Sequence, residues 1–311
     1  MAPKKDGIEC SSLHGYCSPE EQITAPDSTF DSFFIEVYTF LDPFCPECWA
    51  FEPILKKLAA EYGHYIRIRY IISAQSLEQI CSSFKHPKSV HKFAKKWEKV
   101  AIRTGMSCDV DVLYEKPISS PILVSLAIKA AELQGRQAGI KFFRKIRECL
   151  FLNKMNVFTE ENLIECAKLV GLDIDEFQKD LRSKTVIKAL KCDMRTSKEM
   201  RVEITPTFVF FNHNVEEEGI KISGIYPYEV YVDILSKLLG FSPEKREKMP
   251  LIQFLKTHQF VATKEIAVVY DLTMEEAEKQ LKKLVLKQIV EKVPVKYGTF
   301  WRYREKNLPR P

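Results

Sequence analysis

FFIEVYTFLDPFCPECWAFEPILKKLAAEY, residues 33–62, reads as a strand, a tight turn and an amphipathic helix. Seven of its first eight residues are aromatic, β-branched or Thr, the composition of a buried strand. Asp42-Pro43 then stops the strand. After Cys45-Pro46-Glu47-Cys48, the residues Trp49, Phe51, Ile54, Leu55, Leu58 and Ala59 recur at helical spacing and give the helix one apolar face. Cys45 stands at the N-terminal end of that helix, where unpaired N–H groups and the positive end of the macrodipole favour a thiolate. Cys48 lies one turn further on. This is the layout of a thiol–disulfide site.

Working outward, Tyr65–Ile72 (YIRIRYII) is a second strand, and a strand-helix-strand crossover makes it parallel to the first. From about 76 to 200 the periodicity is almost wholly helical, with candidate helices at Val90–Arg103, Ser120–Leu133, Ile140–Leu152, Thr159–Val170, Asp173–Lys184 and Thr185–Met200. Thr159 is a cap for the fourth of these and Gly171 its stop, while Asp173 opens the next. Strands return at Ile204–Phe211, headed by Pro206, which cannot donate to a sheet ladder. Gly219–Gly224 is the hairpin partner, and a helix over Tyr226–Leu239 follows. The predicted order is βαβ, a large helical insertion, then ββα.

A Cys-Pro-x-Cys motif opening a helix after an apolar strand, the helical insertion, and Thr205-Pro206 at the head of the returning hairpin together resemble the DsbA family of thioredoxin-fold proteins. The resemblance covers about residues 33–240. It implies a cis peptide before Pro206, with that proline opposite Cys45 and Cys48. The string DPFCPECWAFEPILKKLAAEYG, the Cys- and His-containing N-terminus and the extra C-terminal segment also resemble, over nearly the whole length, the SpxH (YjbH) family. That likeness implies a cytoplasmic adaptor that binds the transcription regulator Spx and enhances its degradation by the ClpXP protease, directly or through the client, with no cofactor required.

The last sixty residues read as a second domain. Residues 241–250 are a polar linker bracketed by Pro243 and Pro250. Beyond it, Leu251–His258, Thr263–Tyr270 and Thr273–Lys287 are predicted helices, and Ile289–Val295 with Thr299–Tyr303 a hairpin, so that 251–311 has the order of a winged helix. This segment holds the basic excess: from Met249 on there are 12 Lys and Arg against 7 Asp and Glu, whereas the preceding residues balance at 35 each. Nucleic acid is one reading of that charge. Against it, the helix that would enter a major groove begins with Glu275, Glu276 and Glu278, which suit the helix dipole and repel phosphate. A protein-docking or packing role fits better.

Residues 1–32 are polar, and Cys10, His14 and Cys17 offer three of the four ligands of a zinc site; a plain polar tail is the alternative. The chain has nine cysteines over 311 residues, an arrangement unlike the dense disulfide framework of a small secreted domain. Cys149 and Cys166, in helical context, read as small core residues. Cys81, Cys108 and Cys192 show no motif spacing. The lysines near the start have no apolar run behind them, and no stretch approaches the roughly 18 apolar residues of a membrane span, so the reading expects a cytoplasmic protein.

Two carboxylates near the cysteines need placing. Glu36, within the first strand, reads as solvated or hydrogen-bonded, and Asp42 as a turn residue. Glu47, between the cysteines, puts a negative charge beside Cys45. At about 6 Å in a largely aqueous setting that is worth about 0.7 kcal/mol, or about half a pKa unit, against the thiolate. Three functional classes remain from the residues: a binding adaptor whose cysteines are a relic of the fold, a weak thiol–disulfide oxidoreductase or redox sensor using Cys45 and Cys48, and a redox-responsive DNA-binding protein.

Overall fold

The computed structural model describes residues 35–73, 87–115, 120–212, 214 and 217–304. Strand β1 (Ile35–Leu41) lies at the centre of a four-stranded sheet, parallel to β2 (Ile66–Ile72) on one side and antiparallel to β3 (Thr207–Phe211) on the other. β4 (Ile220–Ser223) completes the order β2-β1-β3-β4. Alternation along the strands sends side chains to two faces. Ile35, Val37, Phe208 and Phe210 pack with Phe51, Leu55 and Leu58 of α2 (Glu52–Tyr62) and with Tyr231 and Leu235 of α10 (Tyr228–Leu239). Tyr38, Phe40 and Val209 point the other way, against Ile71 and Val202.

The predicted single helix after Cys45 is two. α1 (Pro46–Ala50) ends at Phe51 and α2 restarts with Pro53 in its first turn. A proline has no N–H to continue the first helix and is well placed to begin the second. β3 likewise starts at Thr207, after Pro206, rather than at Ile204.

The insertion comprises α3 (Pro87–Thr104), α4 (Asp111–Glu115), α5 (Pro121–Leu133), α6 (Arg136–Asn153), α7 (Glu160–Leu169), α8 (Ile174–Leu181) and α9 (Lys184–Glu199). Side chains set its boundaries: the Thr159 hydroxyl accepts from Asn162 N–H, Asp173 Oδ1 from Glu176 N–H, and Ser183 Oγ from Val186 N–H. The Ser183 cap separates α8 from α9. Trp97, Phe142, Phe143, Ile146, Phe151 and Phe177 fill a core that reaches Cys45, Cys48 and Trp49.

The final segment runs α11 (Leu251–His258), β5 (Phe260–Ala262), α12 (Thr263–Val269), α13 (Met274–Leu286), β6 (Val290–Pro294) and β7 (Thr299–Tyr303), with a sheet ordered β5-β7-β6. Val261 and Trp301 face its own helices. Their neighbours Phe260, Ala262 and Phe300 face the other way, into the core of the insertion. The sequence reading treats 251–311 as a domain on a linker, whereas in the structure this sheet is apolar on both faces and shares a core with the rest. Residues 241–250 run without helix or strand, and Arg246 N–H is bound to the Glu61 carbonyl at 2.9 Å.

Candidate functional site

Cys45 caps α1 just beyond the end of β1, and the Thr205–Pro206 peptide, which is cis, lies against it. Cys45 Sγ is 3.5 Å from the Thr205 carbonyl. The next carbonyl, of Pro206, accepts Gly224 N–H at 2.8 Å, which ties the loop to the end of β4. Both cysteines are buried thiols. Hydrogen bonding from the Cys48 thiol lowers the Cys45 pKa to about 7 against the cost of burial, helped by the Cys48 N–H and the Thr205 side chain. Burial and the partner thiol push Cys48 well above the ordinary range. The pair is therefore polarised into an attacking sulfur and a protonated one.

Asp42 is a turn residue, its Oδ1 accepting Phe44 N–H at 2.8 Å, and it is also a buried acid of this site. Burial, followed by the nearness of Cys45, raises its pKa well above normal. Sequence reasoning takes only the first of these roles, because burial at a loop comes from the insertion folding over it. Glu36 lies elsewhere, half-exposed near the start of the central strand β1 and paired with Arg69 of β2 at 3.2 Å.

Glu47 differs from the sequence expectation in its effect. Both of its carboxylate oxygens accept from Arg103 Nη2, at 2.7 and 2.6 Å, so a guanidinium from the end of α3 stands beside the Glu47 charge. The i+56 separation of this pair left no local signal.

Behind the cysteines, Trp49 is fully buried, donates Nε1–H to the Ser107 carbonyl at 3.0 Å, and stacks on Phe300 of β7 with centroids 6.1 Å apart and planes 5° from parallel. The Arg144 guanidinium lies 4.2 Å from the centre of the same indole. Arg144 bridges Glu148, Glu52 and, from the final segment, Glu265, at 2.9, 3.3 and 3.0 Å. Lys56 also pairs with Glu265, and Arg147 with Glu52. Burial opposes ionisation of Glu265, but Arg144 and Lys56 outweigh it and hold the carboxyl at about 2. Of the other sequence candidates, Cys108, Cys149 and Cys166 are fully buried and Cys192 half-buried, while Cys81 and the set Cys10, His14 and Cys17 lie outside the described residues.

The family model for thioredoxin matches residues 38–233. The ClpXP adapter protein SpxH of Halalkalibacterium halodurans is 56% identical over 309 residues, covering 98% of this chain and 100% of its own. The chain belongs to the SpxH family. The SpxH of Bacillus subtilis is 47% identical over 270 residues, 86% of this chain and 89% of that one. Among solved structures, a protein from Nitrosomonas europaea assigned as a disulfide isomerase superposes with a TM-score of 0.56 at 18% identity, covering 67% of this chain and 96% of its own. The cytosolic disulfide reductase DsbM of Pseudomonas aeruginosa gives 0.51 at 15% identity, covering 65% and 96%. These two establish the fold of this SpxH family member as a DsbA-type thioredoxin fold.

Proposed function

We propose that this protein is an adaptor that binds the transcription regulator Spx in the cytoplasm and enhances its degradation by ClpXP. The observation that carries the reading is the 56% identity to a ClpXP adapter protein, spread over 98% of the chain and so including the final segment as well as the thioredoxin fold. Tethering a client near an unfoldase raises local concentration and preorganises the client without a covalent step. Purified ClpXP with Spx as substrate tests it: the protein accelerates Spx loss several-fold, and the Cys45→Ser/Cys48→Ser variant retains the acceleration. No acceleration by the unaltered chain would overturn the adaptor reading.

A second reading has its own observation, the Cys45 thiol poised at about 7 opposite Pro206. A Cys45 thiolate can attack a client disulfide, and Cys48, losing its proton, can then displace the reduced client and leave the Cys45–Cys48 disulfide. Dependence of Spx degradation on the two thiols would favour this chemistry over tethering. The reading against DNA is supported at the hairpin tip. Tyr297 N–H binds Ser107 Oγ at 3.2 Å and Lys296 pairs with Asp109 and Asp111 at 3.5 and 3.3 Å, so the loop between β6 and β7 is fastened to the insertion. For Cys10, His14 and Cys17 we infer zinc binding from ligand type alone. Metal analysis showing equal zinc in the wild type and a Cys10→Ser/Cys17→Ser variant removes that claim.

A further inference from the structure

The outer face of α3 gathers positive charge into a line. Lys92, Lys96, Lys99 and Arg103 follow one another at spacings of four, three and four residues, which places them on one side of the helix, and Lys95 lies next to them. All five are exposed. Arg103 is engaged by Glu47, whereas the four lysines form no ion pair among the described residues. The acids nearby are taken by other groups: Glu98 accepts from the Tyr297 hydroxyl, and Asp109 and Asp111 pair with Lys154 and Lys296. A solvated helix face ordinarily mixes signs at three- and four-residue spacing, because like charges so placed oppose the helix. Here like charges stand together, and apolar surface stands beside them. Ile102 is 65% exposed, and Tyr114 of α4 is 53% exposed with its hydroxyl 3.2 Å from His91 Nδ1 of α3.

We propose that this face of α3 is a docking surface for an acidic helix of a partner protein. Lys92, Lys96 and Lys99 span about 10 Å along the axis, and carboxylates at i, i+3 and i+7 of an antiparallel helix repeat at the same intervals. Ile102 and Tyr114 supply the apolar contact that a protein interface needs beside its charges. A nucleic acid fits less well. Its phosphates run on past a short line of lysines and would meet Glu98, Asp109 and Asp111 on one side, whereas a helix can present its carboxylates on one face only. The line also leads to the cysteine turn. Arg103 is bonded to Glu47, and Lys96 lies near enough to Cys45 and Asp42 to favour their ionised forms. A partner seated on α3 is thereby brought alongside Cys45.

The test uses the full chain and, as probe, a fluorescein-labelled helical peptide of about 18 residues with glutamates at i, i+3, i+7 and i+10. A scramble of the same composition spreads those glutamates around the helix. By fluorescence anisotropy at about 0.15 M salt, the patterned peptide is expected to bind at least about tenfold tighter than the scramble. Lys92→Glu/Lys96→Glu/Lys99→Glu should weaken it at least about tenfold, and a lysine-patterned peptide should bind that variant instead. Lys184→Glu/Lys188→Glu/Lys191→Glu makes the same change in net charge at exposed positions of α9 and should leave binding within about twofold. Neither ClpXP nor a client is present, so the outcome is independent of the adaptor reading. The docking surface is overturned if the scramble binds equally, if the α9 variant loses as much as the α3 variant, or if a single-stranded oligonucleotide of equal charge binds tighter than the peptide.

Discussion

Cys45 is tuned by what touches it rather than by net charge nearby. The Cys48 thiol and N–H and the Thr205 side chain stabilise its thiolate, and Glu47, the residue that would oppose them, is occupied by Arg103. Iodoacetamide should therefore alkylate Cys45 with a rate that rises through a midpoint near pH 7, while Cys48 stays unreactive over the same range. Arg103→Ala frees the Glu47 charge and moves that midpoint upward by about half a pH unit. An unchanged midpoint would mean that Glu47 is too well solvated to matter. Mass spectrometry of the alkylated peptides distinguishes the two cysteines. Linkage gives the sign for stability: a thiol held below its unfolded value stabilises the fold at alkaline pH, and the contribution is lost as pH falls through about 7.

Between elements, the decisive joint is where α2 and α6 meet α12. Glu265, with no exposed surface, serves two purposes there. Its Oε2 accepts Ala262 N–H at 2.7 Å, completing the first turn of α12, and its carboxylate joins Arg144 and Lys56 across the boundary. Glu265→Ala removes the carboxylate that Lys56 pairs with and one of the three that hold Arg144, and should cost about 3–5 kcal/mol, read from urea denaturation. The same joint sets the acid response. Burial, reinforced by Lys56, lowers His258 at the end of α11 to about 3, and Glu265 sits at about 2. In both cases the unfolded chain takes up protons first as pH falls, so stability drops from about pH 6.5 downward through the histidine and from about pH 4.5 through the carboxylate. His258→Gln should flatten the slope from about pH 6.5 down to about 3, leaving the carboxylate's own contribution below about pH 4.5 in place. A slope unaltered there would place the protonation elsewhere.

Across the molecule, Phe260, Ala262 and Phe300 belong to the same core as Trp49, Trp97 and Phe151. The full chain should accordingly unfold in one transition, with Trp49 fluorescence and far-ultraviolet circular dichroism coincident; two separated transitions would contradict the shared core. Phe300→Ala should lower that transition by about 3–5 kcal/mol and alter Trp49 emission. The order of strands and helices was legible in residues 33–62, in Thr205-Pro206 and in the helical periods between them, because those signals are local. The site was only partly so. Cys45, Cys48 and Pro206 announce themselves by spacing, but Arg103 reaches Glu47 and Phe300 reaches Trp49 across chain distances that no period encodes. The final segment read as separate for the same reason: the alternation of Phe260, Val261 and Ala262 marks a strand with two apolar faces without naming what covers the second.

The fastening of the β6–β7 loop to Ser107, Asp109 and Asp111 has a mechanical consequence. An adaptor beside an unfoldase works under traction applied to its client, and some of that force returns through the adaptor's own chain. Here the last hairpin is held at its tip by polar bonds and along its face by Phe300 on Trp49, so load entering the final segment spreads into the helical core instead of peeling one strand at a time. The tug is shared across the core rather than carried by one strand.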